Sequence, residues 1–232
     1  GDPGAAVAGD RGAPEACGGT SSTATRGRTW GGVAEPEGES APAARSIRQW
    51  ETPTAGSVTY QGTDLTTLST KEMKRKRREL QMVFQDPASS LNRRKTIAQT
   101  IRQPMKIHGL HQGERSKRVV ELLETVGLSA QFANQYPHEL SGGQQQRVGI
   151  ARALAVDPEV LVCDEPVSAL DVSLQAQILT LLDDLQNEFG LTILFIAHDL
   201  SVIRHICDRV AVMYLGKLVE IADTKQLFRY PQ

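Results

Sequence analysis

Two short runs, apolar except for Glu159 and Thr192, constrain the fold most. They are Glu159 to Cys163 (EVLVC) and Leu191 to Ala197 (LTILFIA). A strand with one wet face alternates polar and apolar residues, whereas an unbroken apolar run belongs to a strand buried on both faces. Between the runs, Ser173 to Phe189 places Ile178, Leu181, Leu182 and Leu185 on one side of a helix. Strand, helix and strand in this order predict an α/β domain with a mainly parallel central sheet.

Further elements fit that class. Ser57 to Gln61 reads as a short strand turned by Gly62, and Leu80 to Gln85 as a buried strand. Ser69 to Leu80 is a basic, helix-favouring run whose charges read as a solvated face. Gly113 to Val126 has helical spacing, with Gly127 as its stop. Val210 to Tyr214 and Leu218 to Ile221 flank Gly216 as a hairpin. There is no internal repeat.

Composition excludes several functional classes. The formal net charge is -1, so no global basic field calls for nucleic acid. The 3 cysteines, Cys17, Cys163 and Cys207, are far apart and read as reduced thiols of a cytosolic protein. No apolar run spans a membrane, and no signal peptide opens the chain. A membrane role must then come through a partner.

The first 50 residues differ from the rest. They contain 10 Gly, 10 Ala and 4 Pro, and only Val7, Val33 and Ile47 supply aliphatic bulk. Such a segment cannot bury enough apolar surface to offset its ordering entropy. Residues 1–51 are therefore expected to be mostly disordered or non-native, and residues 52–232 to form the domain.

Three constellations carry chemistry. First, an apolar strand ends in Asp164 and Glu165, and ligands in open α/β sheets collect beyond the carboxyl ends of strands. One carboxylate there can hold Mg²⁺ and a second can polarise an attacking water. Second, Leu140-Ser141-Gly142-Gly143-Gln144 reads as a helix N-terminus with bare N–H groups, an anion site. Third, His198 follows the next strand and can share the site of Glu165. Each has a plainer reading: a polar turn, an N-capped helix, a structural histidine.

Taken together, LSGGQ (140–144), VLVCDEP (160–166), SALD (168–171) and AHD (197–199) resemble the nucleotide-binding subunit of an ABC transporter. Phe84-Gln85-Asp86-Pro87 matches that family's glutamine loop, and Val83 to Ile97 resembles its oligopeptide and dipeptide importers. The resemblance covers roughly 52–232 and implies a helical subdomain at about 88–150. It implies ATP and Mg²⁺ as cofactors. Gln85 would contact Mg²⁺ or the attacking water, Asp164 would support Mg²⁺, Glu165 would be the general base and His198 would contact the γ-phosphate. Ser141, Gly142, Gly143 and Gln144 would bind nucleotide held by an opposing subunit, with Asp171 at the seam. The implied partners are integral membrane permease subunits, a second ATPase subunit and, indirectly, a peptide-binding protein. The implied place is the cytoplasmic face of the inner membrane, as a peripheral subunit. The chain stops at LFRYPQ, where that group usually continues into a C-terminal tail. A non-transport ABC ATPase is the other active reading; those carry coiled-coil insertions or tandem cassettes.

The chain departs from the family in its first third. That third should hold an adenine-stacking aromatic residue, a buried strand and a phosphate loop. TWGGVAEPE does not read as a strand. Against the family's GESGSGKST the chain has GESAPAARS, keeping Gly38 and Ser40. Ala41 and Ala43 replace inner glycines, Ala44 the lysine and Arg45 the Mg²⁺-ligand hydroxyl. Pro42 also removes an N–H donor. Three explanations stand: a degenerate loop on a subunit that binds ATP weakly, a one-residue slip that uses Arg45-Ser46, or a stretch of G+C-rich coding DNA read out of frame. If the loop is dead, the chain is an interaction module.

Overall fold

The computed structural model describes residues 6–7, 30–34, 57–214 and 217–229. The loop GESAPAARS, with Gly38 and Ser40, lies outside the described residues. So do Cys17, Gly216, residues 47–54 and the last three residues.

The strands are β1 (Ala6–Val7), β2 (Trp30–Ala34), β3 (Val58–Tyr60), β4 (Thr63–Asp64), β5 (Leu80–Val83), β6 (Val160–Asp164), β7 (Thr192–Ala197), β8 (Arg209–Tyr214) and β9 (Lys217–Asp223). The helices are α1 (Thr70–Glu79), α2 (Pro87–Ser90), α3 (Ile97–Ile107), α4 (Arg115–Thr125), α5 (Gly142–Leu154), α6 (Val172–Phe189), α7 (Leu200–Ile206) and α8 (Thr224–Arg229). A six-stranded sheet has the order β5-β6-β7-β2-β8-β9, and a small three-stranded sheet has the order β1-β3-β4. The large sheet is parallel except for β9, which forms an antiparallel hairpin with β8.

The apolar runs are explained by the two cores. Along β6, Leu161 and Cys163 face the larger core and Val162 the smaller. Along β7, Ile193 and Phe195 face the larger core and Ile196 the smaller. The period of two thus divides each strand between helices α3 to α6 on one side and the β3–β4 layer with α1 on the other. Neither face leaves room for a polar residue.

One expectation is corrected. TWGGVAEPE does contain a strand: β2 lies in the middle of the sheet, with Gly32 opposite Phe195 of β7 and Val210 of β8. Two adjacent glycines have low strand propensity, so the local sequence does not announce it. Backbone ladders on both sides supply what propensity lacks, since a slot between two strands must satisfy their N–H and C=O groups.

Local signals set the helix ends. Capping boxes start α1 at Ser69, α3 at Thr96 and α5 at Ser141. Gly190, at φ 63, closes α6 in the left-handed conformation that glycine adopts without strain.

Candidate functional site

Four strands deliver their carboxyl ends to one edge of the sheet. Asp164 pairs with Ile196, and Ala34 with Ala197, so β6, β7 and β2 end together. β5 ends beside β6, with Val83 opposite Cys163. Residues that follow these ends in sequence are Phe84-Gln85, Glu165, His198 and, four positions past Ala34, Gly38.

Glu165 is the centre of this edge. Its Oε2 accepts a hydrogen bond from Gln85 Nε2 at 2.6 Å. Its Oε1 lies 3.2 Å from His198 Nδ1. An ionised carboxylate only accepts, so Nδ1 carries the proton in this pair and Nε2 is the other functional end of the ring. The Glu165 side chain is 7% exposed and that of His198 38%, so the acid is sheltered while the imidazole reaches solvent. Asp164, beside it, is also buried.

The backbone at Glu165 is strained. Its φ is 43, and such a conformation costs a residue with a side chain about 1–3 kcal/mol. The surroundings hold it there. Its N–H donates to the Ile196 carbonyl at 3.0 Å, and its own carbonyl accepts from Ser168 N–H and Oγ.

The signature segment forms a second group. Ser141 Oγ accepts from Gln144 N–H at 3.4 Å, and Gln144 Oε1 accepts from Ser141 N–H at 2.9 Å. These two side chains therefore cap α5. A Cβ on Gly143 would sit 3.2 Å from both methyls of Leu174, and one on Gly142 3.6 Å from Leu170. The two glycines thus let the start of α5 closely approach Leu170 of the turn before α6 and Leu174 in the first turn of α6. Asp171 caps α6 in that turn, accepting from Leu174 N–H at 2.9 Å. The turn runs from Glu165 at one end to Asp171 at the other, so it joins the two groups.

Of the residues expected from sequence, Gln85, Glu165 and His198 meet directly, with Asp164 adjacent. Ser141, Gly142, Gly143, Gln144 and Asp171 form the second group. Asp199, next to His198, caps α7, and the Ser201 hydroxyl and N–H hold its carboxyl below the usual range. Sequence reasoning named Ser168 and Leu170 only as part of the SALD run, and missed Leu174, Gln146 and Arg152. None carries a motif signal of its own, because each acts through what it packs against.

Among the described residues no cluster of three or more His, Cys, Asp or Glu side chains could hold a metal by itself. The donors present are carboxylate and amide oxygens. That set suits Mg²⁺, which binds one or two carboxylates and takes its remaining ligands from water and phosphate.

Comparisons with known proteins bear on the family and the fold. The ABC transporter family profile matches residues 43–168. The oligopeptide transport ATP-binding protein AppF of Bacillus subtilis (strain 168) is 49% identical over 215 residues, 92% of this chain and 65% of its own. The alignment therefore reaches into the first 50 residues. The oligopeptide transport ATP-binding protein OppF of the same organism is 51% identical over 209 residues, 89% of this chain and 68% of its own. The chain thus spans about two thirds of these relatives. The dimeric ATP-binding cassette MJ0796, solved in a post-hydrolysis state with ADP and Pi, superposes with TM-score 0.74 at 32% identity, over 84% of this chain and 85% of that one. The cbiO1 subunit from Clostridium perfringens superposes with TM-score 0.78 at 28% identity, over 87% and 80%. A profile over more than half of the sequence, relatives at about half identity and a shared fold lead to one conclusion: the chain belongs to the ABC transporter family.

Proposed function

We propose that this chain is the ATP-hydrolysing subunit of a peptide importer, or a descendant of one. The observation that carries the reading is the contact of Gln85 and His198 with Glu165 at the carboxyl edge of a parallel sheet. Two relatives at about half identity are named oligopeptide transport ATP-binding proteins, which supports the peptide assignment. ATP with Mg²⁺, when bound, supplies the phosphoryl group and the charge that neutralises it.

The chain's own residues have definite tasks in this reading. Asp164 and the Gln85 amide oxygen would hold the metal. Glu165 would take a proton from the attacking water through Oε2 once Gln85 cedes that oxygen, with His198 still on Oε1. His198, held by Glu165 through Nδ1, directs Nε2 to the γ-phosphate. Ser141, Gly142, Gly143 and Gln144, with Asp171 at the seam, complete the site of a second subunit; MJ0796 is described as dimeric. The nucleotide-binding unit comprises residues 52–232 together with β2, and residues of about 88–150 form its helical subdomain.

A membrane partner has a place to sit. A groove lined by Met82, Phe84, Ser90, Lys95, Ile107 and Arg152 opens next to the glutamine loop. Ile107 is 52% exposed there, an apolar side chain ready for a permease subunit. No helix of the described residues is long and apolar enough to cross a membrane, so peripheral attachment at the cytoplasmic face would run through this groove. A peptide-binding protein joins only through the permease. Co-purification with membrane subunits separates this reading from a non-transport ABC ATPase.

The second reading is an interaction module that no longer hydrolyses ATP. Ala43, Ala44 and Arg45 favour it, since the phosphate loop lacks an inner glycine, its lysine and its Mg²⁺-ligand hydroxyl. ATP binding measured by calorimetry on this chain decides between them. Absence of binding rejects the active enzyme and leaves the family membership untouched.

A further inference from the structure

Helix α5 carries the signature residues at its first turn and grips the glutamine loop with its body. Gln146, 1% exposed, donates through Nε2 to the Phe84 carbonyl at 3.5 Å, a long bond. One and a half turns further on, Arg152 Nη1 donates to the Ser90 carbonyl at 2.8 Å. The Arg152 guanidinium also lies 5.8 Å from the centre of the Phe84 ring. These contacts bracket Gln85 on both sides.

Arg152 is an unusual choice for a helix body. Among the described residues no carboxylate lies within ion-pair distance of it, and burial pushes its guanidinium below the usual range. A half-buried cation held by one carbonyl beside one aromatic ring loses part of its hydration, a cost that an apolar side chain there would avoid. Its Nη1 bonds the Ser90 carbonyl of α2 while the guanidinium stays within cation–π reach of Phe84. Arg152, Phe84 and Ser90 also line the groove described above. Whatever enters the groove meets these three residues.

We infer that Arg152 is a positioning residue, which links occupancy of the groove to the placement of Ser141 and Gly142 at the far end of α5. The helix is the rigid member: its 13 residues make a rod of roughly 20 Å. A shift of the 84–90 segment moves the Arg152 end, and the start of α5 follows against Leu170 and Leu174. The inference rests on the reading of Ser141 and Gly142 as nucleotide-facing, but its test needs no nucleotide.

The test is amide hydrogen exchange on the full chain. R152M keeps the stem and removes the fork. It should speed exchange in 84–91 and in 140–145 by about fivefold or more, the effect of one net hydrogen bond on a local opening. Segments in α6 and β7 should keep their wild-type rates. R152K retains charge and one donor and should fall between the two. If 84–91 quickens while 140–145 does not, the linkage is wrong. An even rise through α6 and β7 also overturns it, because that is plain loss of stability. Should R152M fail to fold, F84L removes only the aromatic face and should give the same two-segment pattern more weakly; its absence rejects the inference. A chain that proves blind to ATP leaves each of these outcomes decisive.

Discussion

Gln85 Nε2 donates to Glu165 Oε2 at 2.6 Å, joining residues 80 positions apart. The bond occupies one of the two oxygens of the acid proposed as general base, and His198 faces the other. Glu165→Gln keeps the shape and removes the basic oxygen. In a chain competent to bind ATP, turnover should fall by about 10²–10⁴-fold with little change in nucleotide affinity. Single-turnover hydrolysis and equilibrium binding, measured side by side, check both halves.

In the proposed function, the sequence at residues 38–46 limits ATP affinity. A quadruple variant, A41G/A43G/A44K/R45S, returns the glycines, the cation and the hydroxyl. A restored charge-assisted contact to phosphate adds about 1.5–3 kcal/mol, so affinity should tighten at least about tenfold. Calorimetric titration with ATP reads this directly. Unchanged affinity would mean that the loop is not where the deficit lies.

Gly127 and Gly149 should respond oppositely to alanine. Gly127 has φ 72, and its added Cβ would lie 3.0 Å from Arg147 Nη1, which bonds the Val126 carbonyl at 2.7 Å. Alanine there should cost about 1–2 kcal/mol from the backbone alone. Gly149 lies in the body of α5 with nothing within 4 Å of its Cβ position. Alanine there should add about 0.5–1 kcal/mol by raising helix propensity. Urea midpoints of the two variants test the contrast.

Alkaline stability should decline through buried thiols. Burial pushes Cys207 up to about 12, with Asp208 adding to it, and Cys163 is raised further by burial and the neighbouring Asp164. An unfolded thiol ionises near about 8.5. Between that value and about 12 the folded chain keeps protons that the unfolded chain has lost, so stability is full below about 8.5 and falls as pH rises. Unfolding midpoints from pH 8 to pH 10 should drop, and C207A should drop less steeply. An identical slope in C207A would reject the thiol as a cause.

Much of the fold was legible because its strands are buried twice over. EVLVC and LTILFIA admit few other structures, and β6 and β7 appear within a residue of those runs. The helix at 173–189 and the stop at Gly127 follow from spacing and from glycine's access to positive φ. The motif residues were legible because they are fixed types at fixed local spacing, and the family profile matches many of them.

What sequence alone determined is the set of local facts: which runs must be buried, which residues cap helices, and which chemical groups stand at strand ends. Only the tertiary structure decided where those groups meet. The strand at Trp30–Ala34 exists because β7 and β8 offer backbone on both sides, and no propensity of Gly31 or Gly32 predicts that. The contacts of Glu165 with Gln85 and His198 depend on strand order, which pairs residues 80 and 33 positions apart. Arg152 is silent as a letter and acquires a role only when Ser90 and Phe84 are brought to it, because a long-range contact is a property of packing and not of any window of sequence.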